Sequence, residues 1–315
     1  MKYGLLLFLC LCLACTPAEE TQDAPRTATL ERHIIQSTSD GHYLSLWGKT
    51  HPKNKHSILL VHGRTWSALP DFDLQVEGEE LSLMDGLVEA GYNAYAIDLR
   101  GYGGTTRDST GWATPNRSAM DIAHALEWIH EQEGDIIRPH LFGWSMGSTL
   151  SQLTAQQRPE LMASLTLFGY WKDSDQQFPI EPEAYPEPAR VTNTAEAAAS
   201  DFITPGSISQ NAIDAYVKAA LEADPIRADL RRFDHYNALD PAKVTVPTLI
   251  LQGEFDPIGP TEYQTKLFTR LGTSHKQWVV IKGGDHAAFM ETPRALFIHS
   301  LVNFLDGICI DLECP

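Results

Sequence analysis

Gly143-Trp144-Ser145-Met146-Gly147 follows a short apolar run over 138–142 and precedes a helical pattern. A serine flanked by glycines at a strand-to-helix junction is pushed out of the turn, where its hydroxyl can be reached. At average composition a bare G-x-S-x-G arises by chance in roughly one chain in ten of this length, so its surroundings decide the reading.

Working outward, β-branched or apolar runs at 56–61, 92–97, 138–142, 163–168 and 246–251 each end in a loop and alternate with longer helical patterns. This is an α/β rhythm. Ile122, Leu126 and Ile129 share one helical face with Gly134 just past its end, and Phe297, Leu301, Phe304 and Leu305 form another near the C-terminus. The segments 30–38 and 42–48 predict an antiparallel hairpin around Asp40-Gly41. A mostly parallel sheet with helices on both faces is expected, its binding edge at the C-terminal ends of the strands. Between Trp171 and Lys243 the alternation stops: Pro179, Pro182, Pro186 and Pro188 stiffen one stretch, and helical patterns follow around 193–202 and 207–223. This predicts a cap or lid over 171–243 inserted into a core of 30–170 and 244–308, with 309–315 as a C-terminal tail.

A serine hydroxyl is a weak nucleophile at neutral pH and needs a base, with a third group to orient that base. Gly253-Glu254-Phe255-Asp256-Pro257 follows the strand 248–251, and Gly283-Gly284-Asp285-His286 follows the strand 278–281. Carboxylate and imidazole thus lie beyond strand ends, in the chain order Ser145, Asp256, His286. His235, His275 and His299 lack a strand-end context, and His62 reads as part of a loop. Asp98 and Arg100 read as residues that hold loops together.

With His62-Gly63 after one strand and Asp98-Leu99-Arg100-Gly101-Tyr102-Gly103 after the next, the chain resembles an α/β-hydrolase-fold protein over nearly all of 30–306. The resemblance implies Ser145 as nucleophile, His286 as general base and then acid, and Asp256 as the orienting carboxylate; some members carry the acid after the preceding strand, which here points to Asp173 or Asp175 as the alternative. It implies an oxyanion hole from the backbone N–H groups of Arg64 and Met146, each worth roughly 3 kcal/mol of barrier. Members that open epoxides or displace halide carry a carboxylate at the elbow, so Ser145 disfavours both. The implied activity is hydrolysis of a small-molecule carboxylic ester through an acyl-enzyme, without cofactor. The same triad would serve an acyltransferase, a peptidase, a perhydrolase or a carbon–carbon bond hydrolase, and a non-catalytic envelope binding protein is the remaining alternative. Trp66, Phe72, Phe168, Tyr170 and Trp171 lie on or near loops bordering the expected pocket, with Trp66, Tyr170 and Trp171 expected against substrate. No clamp for a free amino terminus can be placed from the sequence.

The 315 residues, 43% of them hydrophobic, suffice for a full core. Lys2, the apolar run Leu5–Leu13 and small residues around Ala14 predict a signal peptide over 1–15, too short in its apolar part to span roughly 30 Å of hydrocarbon. Cys12-Leu13-Ala14-Cys15 resembles a lipobox with Cys12 where Leu is usual, which predicts lipidation of Cys15 and a membrane tether. Thr16 in place of an aspartate leans towards the outer membrane. An ordinary signal cleaved near Ala14 or Ala18 would instead release a soluble secreted protein. Residues 16–29 read as a polar linker. Cys309 and Cys314 are expected to form a disulfide in an oxidising compartment, since two thiols make a poor zinc site and no metal is expected. A net charge of −17 without a basic cluster argues against nucleic acid. Oligomeric state is left open.

Overall fold

The computed structural model describes residues 28–134 and 138–313, the side chains of 311–313 excepted. The expected signal peptide, Cys15, nearly all of the linker and Cys314 lie outside the described residues. β1 (Leu30–Gln36) and β2 (Tyr43–Lys49) form the antiparallel hairpin, turned at Gly41 with φ +73°, a conformation that favours glycine. Next come β3 (His56–Val61), α1 (Ala68–Phe72), α2 (Leu83–Glu89) and β4 (Tyr92–Asp98). The two-residue β5 (Trp112–Ala113), α3 (Pro115–Glu133), β6 (His140–Trp144), α4 (Met146–Gln157) and β7 (Leu165–Phe168) follow. A long excursion then carries α5 (Ala195–Ala199), α6 (Gln210–Ala223) and β8 (Asp229–Leu230). The chain returns through β9 (Thr248–Gly253), α7 (Thr261–Arg270), β10 (Lys276–Ile281) and α8 (Arg294–Glu313).

The eight-stranded sheet has the order β1-β2-β4-β3-β6-β7-β9-β10, parallel from β4 to β10. Every residue of β4, β6, β7 and β9 is buried, as strands covered on both faces must be. Side chains alternate between two cores. Ile58 and Leu60 pack with Leu87, Phe297 and Leu301 on the α2/α8 side, while Leu59 and Val61 pack with Ile122, Leu126 and Leu150 on the α3/α4 side. α3 opens on Pro115 and stops at Gly134, φ +62°, the asymmetry expected of helix ends.

β6 and β9 start two residues later than the apolar runs suggest, because Pro139 and Pro247 have no N–H for the ladder; their carbonyls still accept from Ala163 and Leu165. α5 and α6 are shorter than the periodic stretches that predict them, each starting where Thr194 or Ser209 caps the first turn. The ladder between β5 and β8 ties the excursion to the core and is too short for any periodicity to signal. Asp98 accepts from Ala68 N, Gly104 N and the Trp47 indole, and Arg100 bridges Asp121 and Asp40, so both residues pin loops. Cys309 is buried beside His140. A mostly parallel sheet flanked by helices on both faces, with a helical excursion between β7 and β9, is the α/β-hydrolase fold.

The chain leaves β3 towards β4 on one side and returns with β6 on the other, and Val61 pairs with Gly143 at the end of that register. The loops after β3 and β6 therefore diverge at a switch point of the sheet, where a crevice opens.

Candidate active site

Ser145 sits in the turn between β6 and α4 with φ +53° and ψ −118°, a region that side chains rarely occupy. The turn is held by Ser145 N donating to Phe168 O and by Ser148 N and Oγ donating to Ser145 O. It closes because both flanking glycines lack a Cβ. One on Gly143 would collide with Gly147 O and Ser151 Oγ, and one on Gly147 with the carbonyl oxygens of Val61 and His62. The carbonyls of Val61 and His62 cannot yield without moving the end of β3, so Gly147→Ala is expected to destabilise by about 3 kcal/mol or more, lowering Tm by roughly 5 °C. Thermal denaturation checks this, and an unchanged Tm contradicts the close approach.

His286 follows β10 and is 4% exposed. Its Nδ1 lies 2.9 Å from Oδ2 of Asp256, in the loop after β9. A carboxylate only accepts, so Nδ1 carries the hydrogen and Nε2 is left as the basic nitrogen. Oδ1 of Asp256 takes the backbone N–H groups of Ile258 at 2.8 Å and Gly259 at 3.1 Å. Burial opposes ionisation of Asp256, but the bond and charge of His286 and these amides hold its carboxyl below the ordinary range. The imidazole is fixed further by the Trp144 indole donating to His286 O at 2.6 Å and by Gly169, φ +61°, where a Cβ would stand 2.6 Å from Cε1. Asp173 and Asp175 are elsewhere, paired with Lys266 and Arg270.

His62 accepts from Leu99 N and donates to Gly63 O, locking the loop after β3 onto the end of β4. Burial drives its pKa down to about 4, so it is a neutral fastener. The loop thereby presents Arg64 beside Ser145. Neither Arg64 N nor Met146 N, the first amide of α4, has a hydrogen-bond acceptor among the described residues.

Ser145, His286, Arg64 and Met146 line one cavity of about 340 Å³. Its other wall comes from the excursion, with Trp171, Leu230, Phe233 and Tyr236 giving an apolar surface. Trp66 and Tyr170 are each 1% exposed and do not line it: both are packed into the cores. Asp201, between α5 and α6, is a cavity-lining carboxylate that sequence reasoning missed. It accepts from Tyr216 Oη, which donates towards the buried Asp71 as well. Burial raises Asp201 to about 6, against the pull of Tyr216 and of the nearby His286. One phenol hydrogen cannot serve two carboxylates, and burial raises Asp71 well above the usual range, so Asp71 is the protonated member. Among the described residues no group of three or more His, Cys, Asp or Glu is placed to hold a metal ion.

The excursion is fastened beside the histidine loop. Thr204 N donates to Asp285, Ser207 Oγ donates to Glu291, and Thr292 donates to Ser207 O. Burial and the neighbouring Asp285 push Glu291 up to about 7, despite the Ser207 bond. A carboxyl raised on folding binds more protons in the native state, so its contribution to stability falls as pH rises from its ordinary value through about 7. The Tm of Glu291→Gln minus that of the unmodified protein is expected to increase between pH 6 and 8. A difference independent of pH contradicts the raised carboxyl.

A family model described as serine aminopeptidase, S33, matches residues 52–293. A sequence search of curated proteins found no match. Among solved structures, a serine hydrolase involved in carbazole degradation aligns at 17% identity and TM-score 0.62, covering 88% of this chain and 99% of that one. A thermophilic esterase from Thermogutta terrifontis aligns at 21% identity and TM-score 0.61 over 88% and 99% of the two chains. A bacterial membrane phospholipase A aligns at 18% identity and TM-score 0.60 over 89% and 86%. At these identities the likeness shows a shared fold.

Proposed function

Since the chain belongs to the hydrolase family described as serine aminopeptidase, S33, we propose that it is a serine hydrolase cleaving a small or medium carboxylic ester through an acyl-enzyme. The observation that carries this reading is the 2.9 Å bond from His286 to Asp256 in a cavity that also holds the strained Ser145.

In the proposed reaction Ser145 Oγ attacks the ester carbonyl as its proton passes to His286 Nε2. Asp256 keeps the imidazole in the tautomer that can receive it and stabilises the imidazolium. The developing oxyanion meets the N–H groups of Arg64 and Met146, dipoles fixed before the reaction begins. His286 then protonates the departing alcohol, and the acyl group stays on Ser145. Water deprotonated by the freed His286 attacks the acyl carbonyl, and collapse releases the acid and restores the serine.

A second reading, an aminopeptidase, is favoured by Asp201, a carboxylate in the same cavity able to accept from a protonated amine. The apolar wall of Trp171, Leu230 and Phe233 weighs towards the ester, because it offers an acyl or aromatic group a dry surface. Nitrophenyl esters of increasing acyl length, compared with aminoacyl nitroanilides, separate the two. Ester turnover exceeding nitroanilide turnover by at least a hundredfold, and little altered by Asp201→Asn, is expected. Efficient nitroanilide cleavage that Asp201→Asn abolishes would reassign the enzyme as a peptidase. Export with acylation of Cys15 is part of the proposal, supported by the leader sequence, and metabolic lipid labelling that persists in Cys15→Ser would contradict it.

A further inference from the structure

The cavity holds a charge that the proposed chemistry does not use. Arg64 contributes only its backbone N–H to the proposed oxyanion hole, yet the residue borders the cavity and is exposed. The chain has 24 Lys and Arg against 41 Asp and Glu, so acidic partners are abundant. Arg100, Arg117, Arg231 and Arg232 each have one within 4.0 Å or closer. Arg64 has no ion pair and no side-chain hydrogen bond among the described residues. The cavity's carboxylate, Asp201, is engaged by Tyr216 instead.

Burial pushes the phenols of Tyr102 and Tyr236 up, and the nearby Arg64 charge pulls against it at both. Apolar Leu230, Phe233 and Ile258 fill much of the remaining wall. A planar fork of N–H donors beside an oxyanion hole matches a second anionic group on the same substrate.

We infer that the Arg64 side chain forms an anion-recognising subsite of the catalytic cavity, taking a carboxylate or phosphate that the ester carries a few bonds from its scissile carbonyl. This rests on the hydrolase reading above. A net charge of −17 repels anions from the molecule as a whole, so any preference for an anionic ester requires a local cation.

The test compares esters with and without an anionic group: monoethyl with diethyl glutarate, counted per ester bond, and 1-butyrylglycerol 3-phosphate with 1-butyrylglycerol. The ratio of kcat/KM within each pair cancels any effect of a substitution on the oxyanion hole, which both members share. In the unmodified protein at least one anionic member is expected to be preferred about tenfold, and the pair with the larger ratio identifies the anion. Arg64→Gln is expected to bring that ratio to one or below, Arg64→Lys to retain part of it, and added salt to shrink it. Equal or lower ratios for both pairs in the unmodified protein, or a ratio that survives Arg64→Gln, overturns the subsite while neutral-ester turnover leaves the hydrolase reading standing. Calorimetric titration of Ser145→Ala with the same four compounds reads recognition without chemistry. Charge-dependent binding lost in Ser145→Ala/Arg64→Gln supports the subsite whichever bond the enzyme breaks, and binding blind to charge overturns it.

Discussion

Replacing Ser145 with alanine is expected to lower kcat on a good ester substrate by on the order of 10⁴- to 10⁶-fold while leaving the fold in place. The large effect follows from the division of labour proposed for the cavity. Without the hydroxyl, His286 has nothing to deprotonate but water, and only the amides of Arg64 and Met146 and the binding walls still favour the reaction. The small effect on folding follows from the turn itself. Alanine and serine carry the same Cβ, so the strain at φ +53° is unchanged, and the bonds at Ser145 N and Ser145 O belong to the backbone. Circular dichroism and Tm should therefore match the unmodified protein. Residual turnover above about a hundredth would mean that another group attacks the carbonyl.

Asp256→Asn is expected to reduce kcat by about 10⁴-fold. The amide can present its N–H to Nδ1, leaving the hydrogen on Nε2, the nitrogen that must accept the serine proton. It also withdraws the negative charge that offsets an imidazolium in a buried site. The same substitution has a signature in stability. Asp256 is held below its ordinary value of 3.8 chiefly through His286 and two backbone amides, against the opposing effect of burial. A depressed carboxyl contributes stability that is fully present above its unfolded value and lost as pH falls through the lower folded one. The variant should thus melt below the unmodified protein at pH 7, with the gap narrowing below pH 4 or so. A gap constant with pH, or activity within tenfold of the unmodified protein, would point to Asp173 or Asp175 as the orienting acid, despite their pairing with Lys266 and Arg270.

Much of the sheet could be read along the chain because its central strands are buried on both faces and appear as short apolar runs, as in Ile58 to Val61 and Leu249 to Leu251. The candidate residues Ser145, Asp256 and His286 stand out in the sequence for a related reason: each lies immediately beyond such a run, in a turn marked by glycine. The structure brings His286 and Asp256 into one bond, and their strands β10 and β9 are neighbours in the sheet. Asp201 offered no such signal. It lies between α5 and α6, and only the packing of α6 against α1 carries it towards Asp71. Trp66 and Tyr170 were expected against substrate because they follow strand ends, but both are packed into the cores. Gly169 was equally silent, since its requirement for a missing Cβ exists only once His286 has folded over it.

The most direct measurement is covalent labelling of the purified protein with a fluorophosphonate, followed by mass spectrometry of the peptide that carries the adduct. The expected result is one adduct per chain on Ser145, loss of ester turnover in proportion to labelling, and no labelling of Ser145→Ala. A folded protein that takes no label, or takes it at another residue while ester turnover persists, would contradict Ser145 as the nucleophile.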